Sequence, residues 1–482
     1  MIFLNNPRKI AFLILNEYIN KKDNLKKIIN KYFNNYKIND LNKRLINEIC
    51  KGAVRYLLLI DFLISKNSNK SIDKIDNSIL NIIRTGVYQL FFLNRVPSYS
   101  IVNESVEIAK KYAGLPSSKF VNAVLRKISQ IPNINNFLEG EINKTKITKF
   151  KKLSIKYSFP EWLIKYWTEY YGFSKTEKIC QSLNESSLIY LRINTLKIIK
   201  DKLIDEITND KKLKNEDILH LNDNESEEII FEDTIAIKSV KNIINSNYYK
   251  AGFFSIQDFS SQLAVKYFLK PKENEKILDL CAAPGGKTTY MSELMNNSGE
   301  VISIDTNKKR LKMLEDNLKR LLINNVKIII ADASRENFLD GFSSNNYQNY
   351  FDKIFIDSPC SSFGTISKNP DVKYNKKIDD IYRLSDISYK IILNSHKYLK
   401  NGGKIVFYTC TISPIENQML LEKIINDPKN GYRFDEIYLA DEIINYLQKE
   451  KINKNIISKK YFEIMPYYFN SEGGFISHLI KE

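Results

Sequence analysis

After Lys276, short segments rich in β-branched residues alternate with amphipathic segments. Such alternation is typical of a parallel sheet whose strands are connected by helices. We therefore predict a Rossmann-like α/β domain over residues 251–482. The predicted strands are Lys276–Leu280, Val301–Asp305, Val326–Ala331, Lys353–Asp357 and Lys404–Tyr408, and the predicted helices begin at Lys287 or span Lys308–Leu322, Ile378–Leu399 and Ile415–Ile425.

The first third of the chain has the periodicity of amphipathic helices. Proline and glycine at Val96–Ser98 and Gly114–Pro116 predict turns between helices. We expect an all-α domain over residues 1–135, followed by a polar, poorly periodic linker from Asn133 to Thr148. The helices are predicted near Arg8–Ile19, Leu41–Ser65, Ile79–Leu93, Ile101–Tyr112 and Ser118–Ser129.

Residues 150–250 are predicted to form a small α/β (RRM-like) connecting domain. A helix is expected to open at Tyr157–Trp162 and to reach about Tyr171, and a strand is expected at Ile189–Asn194. The highly charged stretch Lys211–Glu228 is interpreted as a loop.

Positive charge is concentrated at the start of the chain. Residues 1–150 contain 25 Lys and Arg against 11 Asp and Glu, whereas the other 332 residues contain 48 and 45. A uniform codon bias toward lysine would not load one third of the chain in this way. We therefore predict that the first third binds a polyanion, for which a nucleic-acid backbone is the best candidate.

The numbers and spacing of cysteine and histidine argue against a metal site or a disulfide framework, because they form neither C-x-x-C pairs nor Cys/His clusters. No apolar run is long enough to span a bilayer, and no secretory signal is recognised. We expect a cytoplasmic protein with free thiols. The residues concerned are Cys50, Cys180, Cys281, Cys360, Cys410, His220, His396 and His478.

A glycine-containing turn, Asp279–Thr288, follows the first strand of the predicted sheet. Ligands bind at the carboxyl ends of such strands, and Gly285 and Gly286 allow a ligand to approach the backbone closely. The next strand ends at Asp305, 19 residues beyond Gly286, where a carboxylate can accept hydrogen bonds from ribose hydroxyls. With Asp332 at the end of the third strand, the pattern predicts a nucleoside site, although it matches neither the P-loop nor the G-x-G-x-x-G spacing.

Two further strand ends carry cysteine. Asp357 is followed by Ser358-Pro359-Cys360, and Tyr408 is followed by Thr409-Cys410. A lone cysteine usually packs as a small apolar residue. Two of them at the edge that carries the glycine turn instead predict a reactive site.

These segments resemble those of RNA cytosine-5 methyltransferases of the NOL1/NOP2/Sun group, and the first third is similar to the NusB-like domain of their bacterial 16S rRNA branch. The resemblance covers essentially the whole chain. Ser358, Lys368, Tyr374 and Thr411 depart from residues often found in the group. The matching motifs are Cys281–Lys287, Asp357–Cys360, Thr409–Cys410, Ser255–Asp258, Ser261–Gln262, Asn369–Asp371 and Glu416–Asn417.

The resemblance implies an S-adenosylmethionine-dependent methyltransferase, expected to be monomeric, that acts on an unstacked cytosine of 16S rRNA. Cys410 would add to carbon 6 of the base and Cys360 would assist breakdown of the adduct. Asp357 would contact the base or the cofactor, and Lys287 the site between them. The residues implied to bind S-adenosylmethionine are Cys281, Ala282, Ala283, Pro284, Gly285, Gly286, Lys287, Asp305, Asp332 and Asp357.

Elementary chemistry agrees with this assignment, because carbon 5 of cytosine becomes nucleophilic only after a thiolate has added to carbon 6. A target base must also leave its stack to reach a protein thiol. The residues alone leave Cys360 open as the nucleophile, because Pro359-Cys360 matches the motif of DNA cytosine methyltransferases. The same chemistry on tRNA or 23S rRNA, and a non-catalytic RNA-binding or antitermination scaffold, are the alternative functions.

Overall fold

The computed structural model describes residues 6–94, 96–185, 187–210, 213, 232–237, 243–342, 347–449 and 458–482. Two compact units are formed, the first by Met1–Glu185 with Ile366–Lys376 and the second by Ser186–Thr365 with Lys377–Glu482. The predicted loop Lys211–Glu228 lies, except for Leu213, outside the described residues. The boundaries 1–135, 150–250 and 251–482 stay predictions. Among the described helices, none combines the length and the apolar character that a membrane span requires.

The first unit is helical. Asparagine side chains begin several of its helices: those of Asn6, Asn24 and Asn39 accept hydrogen bonds from backbone N–H groups of the first turn. At Gly114 a φ of 80° interrupts a helix, as the predicted turn required. The helices are α1 (Pro7–Lys21), α2 (Leu25–Asn35), α3 (Asp40–Arg55), α4 (Leu57–Asn67), α5 (Asn77–Phe92), α6 (Ser98–Ser129), α7 (Ile134–Asn143), α8 (Lys149–Tyr157), α9 (Glu161–Tyr171) and α10 (Phe173–Asn184).

The predicted linker Asn133–Thr148 is wrong, because most of it forms α7. Asn133 caps this helix, and Leu138 and Ile142 are buried in the core of the first unit. The two apolar residues lie four positions apart and therefore share one helix face. Most of the residues around these two are polar, and the helical spacing of the two apolar residues was therefore not recognised in the sequence.

The second unit begins with a small antiparallel sheet in the order β2-β1-β3. Its core contains Leu191, Ile235 and Phe254, together with Leu203 from the adjoining helix. The predicted strand Ile189–Asn194 is confirmed to within one residue. The elements are β1 (Ile189–Ile193), α11 (Lys200–Asn209), β2 (Thr234–Ile237), α12 (Asn247–Lys250), β3 (Phe254–Ile256) and α13 (Phe259–Leu263).

A larger mixed sheet follows. The described strands run in the order β10-β11-β8-β7-β4-β5-β6, with β9 paired to β11. The elements are β4 (Lys276–Leu280), α14 (Gly286–Leu294), β5 (Glu300–Asp305), α15 (Lys308–Leu321), β6 (Val326–Ile330), β7 (Phe351–Asp357), α16 (Val372–Asn375), α17 (Ile378–Ser395), β8 (Leu399–Thr409), α18 (Gln418–Ile425), β9 (Tyr432–Phe434), α19 (Asp441–Lys449), β10 (Tyr461–Ile464) and β11 (Gly474–Lys481).

The five strands expected from the sequence pair in parallel, which confirms the Rossmann-like fold. Sequence analysis missed β9, β10 and β11, which are antiparallel and extend the sheet beyond β8. Because β4 has β5 on one side and β7 on the other, the strand order reverses beside it. Ligands bind at such a reversal, outside the carboxyl ends of the strands.

Residues 366–376, which include α16, pack within the first unit. The Asp371 carboxylate accepts a hydrogen bond from Leu25 N at 3.1 Å, and the buried Lys373 amino group donates to Arg55 O at 2.7 Å. The Tyr374 hydroxyl donates to Ser158 O at 2.9 Å. The Asn-Pro-Asp motif and the divergent Tyr374 are therefore tied into the helical unit.

Candidate active site

The glycine turn joins β4 to α14. Gly285 has a φ of 98°, and a Cβ there would lie 2.2 Å from Leu314 Cδ1, so only glycine fits this position. Ala283 N donates to Asp305 Oδ2 at 3.1 Å, which places the predicted ribose-binding carboxylate directly beside the turn. Pro284 is exposed and follows a cis peptide bond.

A buried arginine that sequence analysis missed holds the helical end of this turn. Arg192 on β1 donates to Gly286 O at 2.5 Å and to Thr289 Oγ1 at 2.9 Å. It also donates to both carboxylate oxygens of Glu293, at 3.0 and 2.9 Å, and to Gln257 Oε1. Because Arg192 and Glu293 are both buried, this ion pair is shielded from solvent.

Asp279 on β4 is also buried, and Thr288 Oγ1 donates to its Oδ2 at 2.5 Å. Burial raises the pKa of this carboxyl to about 7. Its Oδ1 and the Nε2 of Gln257 have no hydrogen-bond partner within the part of the chain that the structure describes. The turn therefore offers an unsatisfied acceptor and an unsatisfied donor for a polar ligand.

Lys287, the second residue of α14, pairs with Asp357 at the end of β7. Its Nζ lies 2.8 Å from Asp357 Oδ2 and 4.6 Å from the centre of the Tyr408 ring. Burial alone would lower the pKa of Lys287, but the neighbouring groups, chiefly the Asp357 carboxylate, together outweigh burial, and the pKa lies above its ordinary value. Lys287 is therefore a fixed cation, and it also interacts electrostatically with Cys410.

The two predicted cysteines meet at the same edge of the sheet. Cys360 Sγ and Cys410 Sγ are 3.5 Å apart, and Cys410 Sγ lies 3.5 Å from Ser362 Oγ. The hydrogen bond with Cys410, together with burial, holds the pKa of Cys360 well above its ordinary value. Cys360 is therefore a protonated thiol at neutral pH. Ser362 has a φ of 62°, a backbone conformation that is strained for serine.

The remaining predicted cofactor residues lie in the turn, except Asp332, which follows β6. The Cys281 thiol packs against the core of the large sheet, and burial raises its pKa, so it is a poor candidate for a nucleophile. Ala282 and Ala283 are buried beneath the turn. Asp332 lies two residues beyond β6 and is half-exposed, and its Oδ1 accepts from Ser334 N and Oγ at 3.0 and 2.6 Å.

Three family models match the chain. Residues 266–480 match the 16S rRNA methyltransferase RsmB/F, and residues 5–130 match the NusB family. Residues 159–217 match the ferredoxin-like domain of RsmF/B-like methyltransferases. The NusB-like and Rossmann-like domains expected from the sequence are thereby confirmed.

Solved structures share the fold. PH0851 superposes with a TM-score of 0.74 at 23% identity and covers 99% of both chains. NSun6 from Pyrococcus horikoshii, solved with SFG, gives a TM-score of 0.54 at 23% identity over 67% of this chain and 98% of its own. At this level of identity the similarity establishes the architecture alone.

Curated relatives match over most of their length. The probable ribosomal RNA small subunit methyltransferase B of Bacillus subtilis is 31% identical over 92% of both chains. The ribosomal RNA small subunit methyltransferase B of Vibrio vulnificus is 32% identical over 77% of this chain and 80% of its own. With the matching domains and the paired cysteines of the large sheet, these similarities show that the chain belongs to the ribosomal RNA small subunit methyltransferase B (RsmB) family of RNA methyltransferases.

Proposed function

We propose that this chain transfers a methyl group from S-adenosylmethionine to carbon 5 of a cytosine in 16S rRNA, through a covalent bond between Cys410 and carbon 6 of the base. The observation that carries the proposal is the pair of sulfur atoms 3.5 Å apart at the ends of adjacent strands. The Lys287–Asp357 ion pair at the same edge supports it. A scaffold that only binds RNA would need neither feature.

The residues at the glycine turn suit S-adenosylmethionine, which supplies an electrophilic methyl group on a sulfonium sulfur when it is bound. Gly285 gives the turn a backbone conformation, with a φ of 98°, in which a Cβ would collide with Leu314, and Asp305 beside it would accept hydrogen bonds from ribose hydroxyls. The unsatisfied Asp279 Oδ1 and Gln257 Nε2 add an acceptor and a donor. Asp357 and Lys287 would lie between this site and the base.

Cys410 is the better nucleophile of the pair. Cys360 keeps its proton because its thiol is buried and shares a hydrogen bond with Cys410. Cys410 lies close enough to the Lys287 cation for the two groups to interact electrostatically. As a thiolate it forms a bond to carbon 6, and the electron pair of the C5–C6 double bond shifts toward carbon 5, which becomes the carbon nucleophile that accepts the methyl group. Asp357 can accept a hydrogen bond from the exocyclic amine, and one from N3 once N3 has gained a proton, which stabilises the adduct where charge develops.

In breakdown of the adduct, carbon 5 gives its proton to solvent water, the electron pair left behind re-forms the C5–C6 double bond, and the bond from carbon 6 to Cys410 Sγ breaks. The protonated Cys360 thiol lies 3.5 Å from the departing sulfur and can give it a proton. The proposed role of Cys360 is therefore in product release. The two cysteines thus act in opposite directions on one bond.

The choice of 16S rRNA rests on the NusB-like domain and on the positive charge of the first third of the chain. Bisulfite sequencing of total RNA with and without the gene tests it directly. One protected cytosine should disappear from 16S rRNA when the gene is deleted. Loss of a protected cytosine from tRNA or 23S rRNA instead would contradict the proposed target.

The covalent mechanism is tested with the full chain, unmodified 16S rRNA and labelled S-adenosylmethionine. We expect Cys410→Ala to abolish methylation, and Cys360→Ala to accumulate a protein–RNA adduct that survives a denaturing gel. Cys180→Ala, in a buried position of the first unit, is the matched control and should turn over normally. Normal turnover by Cys410→Ala would rule out the proposed nucleophile.

A further inference from the structure

A buried carboxylate links the two cysteine loops. Glu416, two residues before α18, is 1% exposed. Its Oε1 accepts a hydrogen bond from Ser361 N, and its Oε2 accepts one from Ser361 Oγ, both at 2.6 Å. Ser361 directly follows Cys360. The carboxylate therefore binds both the backbone and the side chain of Ser361, in the loop that carries Cys360.

The hydroxyl of Ser361 also contacts the loop that carries Cys410. Ser361 Oγ lies 2.7 Å from Thr411 Oγ1, and Thr411 directly follows Cys410. Gly364 N, on the Cys360 loop, donates to Cys410 O at 3.0 Å. Glu416 therefore lies at one end of a short chain of hydrogen bonds that spans both loops.

The Cys410 loop also has a fastening of its own. Thr409 Oγ1 donates to Asn417 Oδ1 at 2.7 Å, and Asn417 Nδ2 donates to Thr411 O at 3.0 Å. Both neighbours of Cys410 are thus held by Asn417. Loss of the Glu416 carboxylate would remove two hydrogen bonds from the Cys360 loop, whereas Asn417 would still hold both neighbours of Cys410.

We propose that Glu416 is a positioning residue, which holds the Cys360 loop at the distance from Cys410 that breakdown of the covalent adduct requires. The inference rests on the proposed function. It predicts a selective defect, because formation of the Cys410 adduct needs only the Cys410 loop, whereas its breakdown needs both loops in register. A residue needed merely for folding would weaken both steps together.

A buried carboxylate suits this purpose better than an apolar side chain. Hydrogen bonds to a charged acceptor are short and directional, so they fix the loop more tightly than apolar packing does. The charge also acts on Cys360: after the hydrogen bond with Cys410 and burial, the Cys410 and Glu416 charges are further causes of its raised pKa. Glu416 therefore helps to keep Cys360 protonated.

The test compares Glu416→Ala with wild type in the full chain, with unmodified 16S rRNA and labelled S-adenosylmethionine. We expect steady-state turnover to fall about 100-fold, the usual effect of a misplacement of about 1 Å. Methyl transfer in the first turnover should be largely retained, and the covalent adduct should accumulate as in Cys360→Ala. The exposed Glu422→Ala on α18 is the matched control and should behave as wild type.

Two further variants keep the test decisive if Glu416→Ala is poorly folded. Ser361→Ala removes the hydroxyl that bonds Glu416 and Thr411 but keeps the backbone bond, so it should trap less adduct. Glu416→Gln keeps an acceptor for Ser361 N but loses the charge. We expect Glu416→Gln to have a higher turnover than Glu416→Ala. The loss of activity at high pH should begin at a lower pH than in wild type, because the pKa of Cys360 would decrease.

Parallel loss of adduct formation and turnover in the Glu416 and Ser361 variants would overturn the proposal, as would unchanged turnover in all three. Failure of the proposed function has a different signature. In that case Cys360→Ala itself would trap no adduct, whatever the Glu416 variants do.

Discussion

Replacement of Arg192 by methionine should loosen the glycine turn before any other part of the second unit. Methionine has a similar length but no charge, so the change leaves Glu293 as a buried, unpaired carboxylate whose side chain is 1% exposed. Gly286 O and Thr289 Oγ1 lose their contacts with the guanidinium in the same step. These groups lie in the first two turns of α14, directly after Gly285.

The magnitude follows from this burial. Removal of one partner of a buried ion pair destabilises a protein by about 3–5 kcal/mol, because the remaining charge has neither water nor a counter-ion. Loss of the Gly286 and Thr289 contacts acts on the same groups and is not additive. We therefore expect a loss of about 4 kcal/mol, whereas the double variant Arg192→Met/Glu293→Met should recover most of it because no charge remains buried.

Hydrogen exchange followed by mass spectrometry reports the effect locally, which matters because a chain of two units need not unfold in one step. Protection of the α14 amides should fall roughly 1,000-fold in Arg192→Met, since about 1.4 kcal/mol corresponds to a factor of ten. Lys312→Met, which breaks an exposed ion pair on α15, is the control and should leave α14 unchanged. Unchanged α14 protection in Arg192→Met, or a double variant no better than the single one, would refute the reasoning.

The same variant has a pH signature. Burial raises the pKa of Glu293 even while Arg192 opposes it, and the pKa must rise further when Arg192 is removed. A carboxyl whose pKa is raised on folding binds its proton more tightly in the folded state than in the unfolded state. The variant is therefore stabilised as the pH falls toward the pKa of Glu293 in the unfolded chain, and it loses this stability as the pH rises through the pKa of Glu293 in the folded protein. The difference from wild type should therefore be smaller at pH 5 than at pH 8.

Three other changes test single features of the second unit. Gly285→Ala should weaken binding of S-adenosylmethionine about tenfold or more by calorimetry, because a Cβ would lie 2.2 Å from a neighbouring side chain; Gly402→Ala, with a φ of 71° and nothing within 4 Å, should not weaken it. His478→Phe should reduce the fall in melting temperature from pH 7 to 4.5, because burial lowers the pKa of His478 to about 3 and the unfolded state alone gains its proton in that range. One equivalent of hydrogen peroxide should oxidise Cys360 and Cys410 to a disulfide, with release of two water molecules. Activity should be lost and should return with dithiothreitol. A protein mass that peroxide leaves unchanged would contradict the 3.5 Å separation of the sulfur atoms.

The candidate site residues that could be predicted from the sequence are those at the ends of strands. Asp305, Asp357, Cys360 and Cys410 each follow a run of β-branched residues, and the carboxyl ends of parallel strands share one edge. Periodicity located those runs to within a few residues, so the residues after them could be assigned to one site before the fold was known. The same reasoning could not find β9, β10 and β11, whose order in the sheet depends on long-range antiparallel pairing.

Buried polar partners from distant parts of the chain escaped sequence analysis. Arg192 lies 101 positions from Glu293, and Ser361 lies 55 positions from Glu416. No local pattern marks a charged residue as buried, because charged residues in isolation are expected to be solvated. The motif Glu416–Asn417 could be recognised in the sequence by its resemblance to the family. Its hydrogen bonds to the two cysteine loops could not be predicted, because they form only when β7 and β8 lie side by side.

The separation of the sulfur atoms follows from strand register. Strands β7 and β8 are parallel neighbours in which Asp357 is paired with Tyr408. Adjacent strands lie about 4.8 Å apart, so residues shortly beyond a register pair can bring their side chains into contact. A slip of one residue would turn the side chains of one strand to the opposite face and would shift the loops after the two strands relative to each other, so the two cysteines would no longer lie side by side. Because β4 adjoins β7 on its other side, three neighbouring strands deliver Lys287, Asp357 and the sulfur pair to one edge, and the proposed chemistry therefore depends on their order in the sheet.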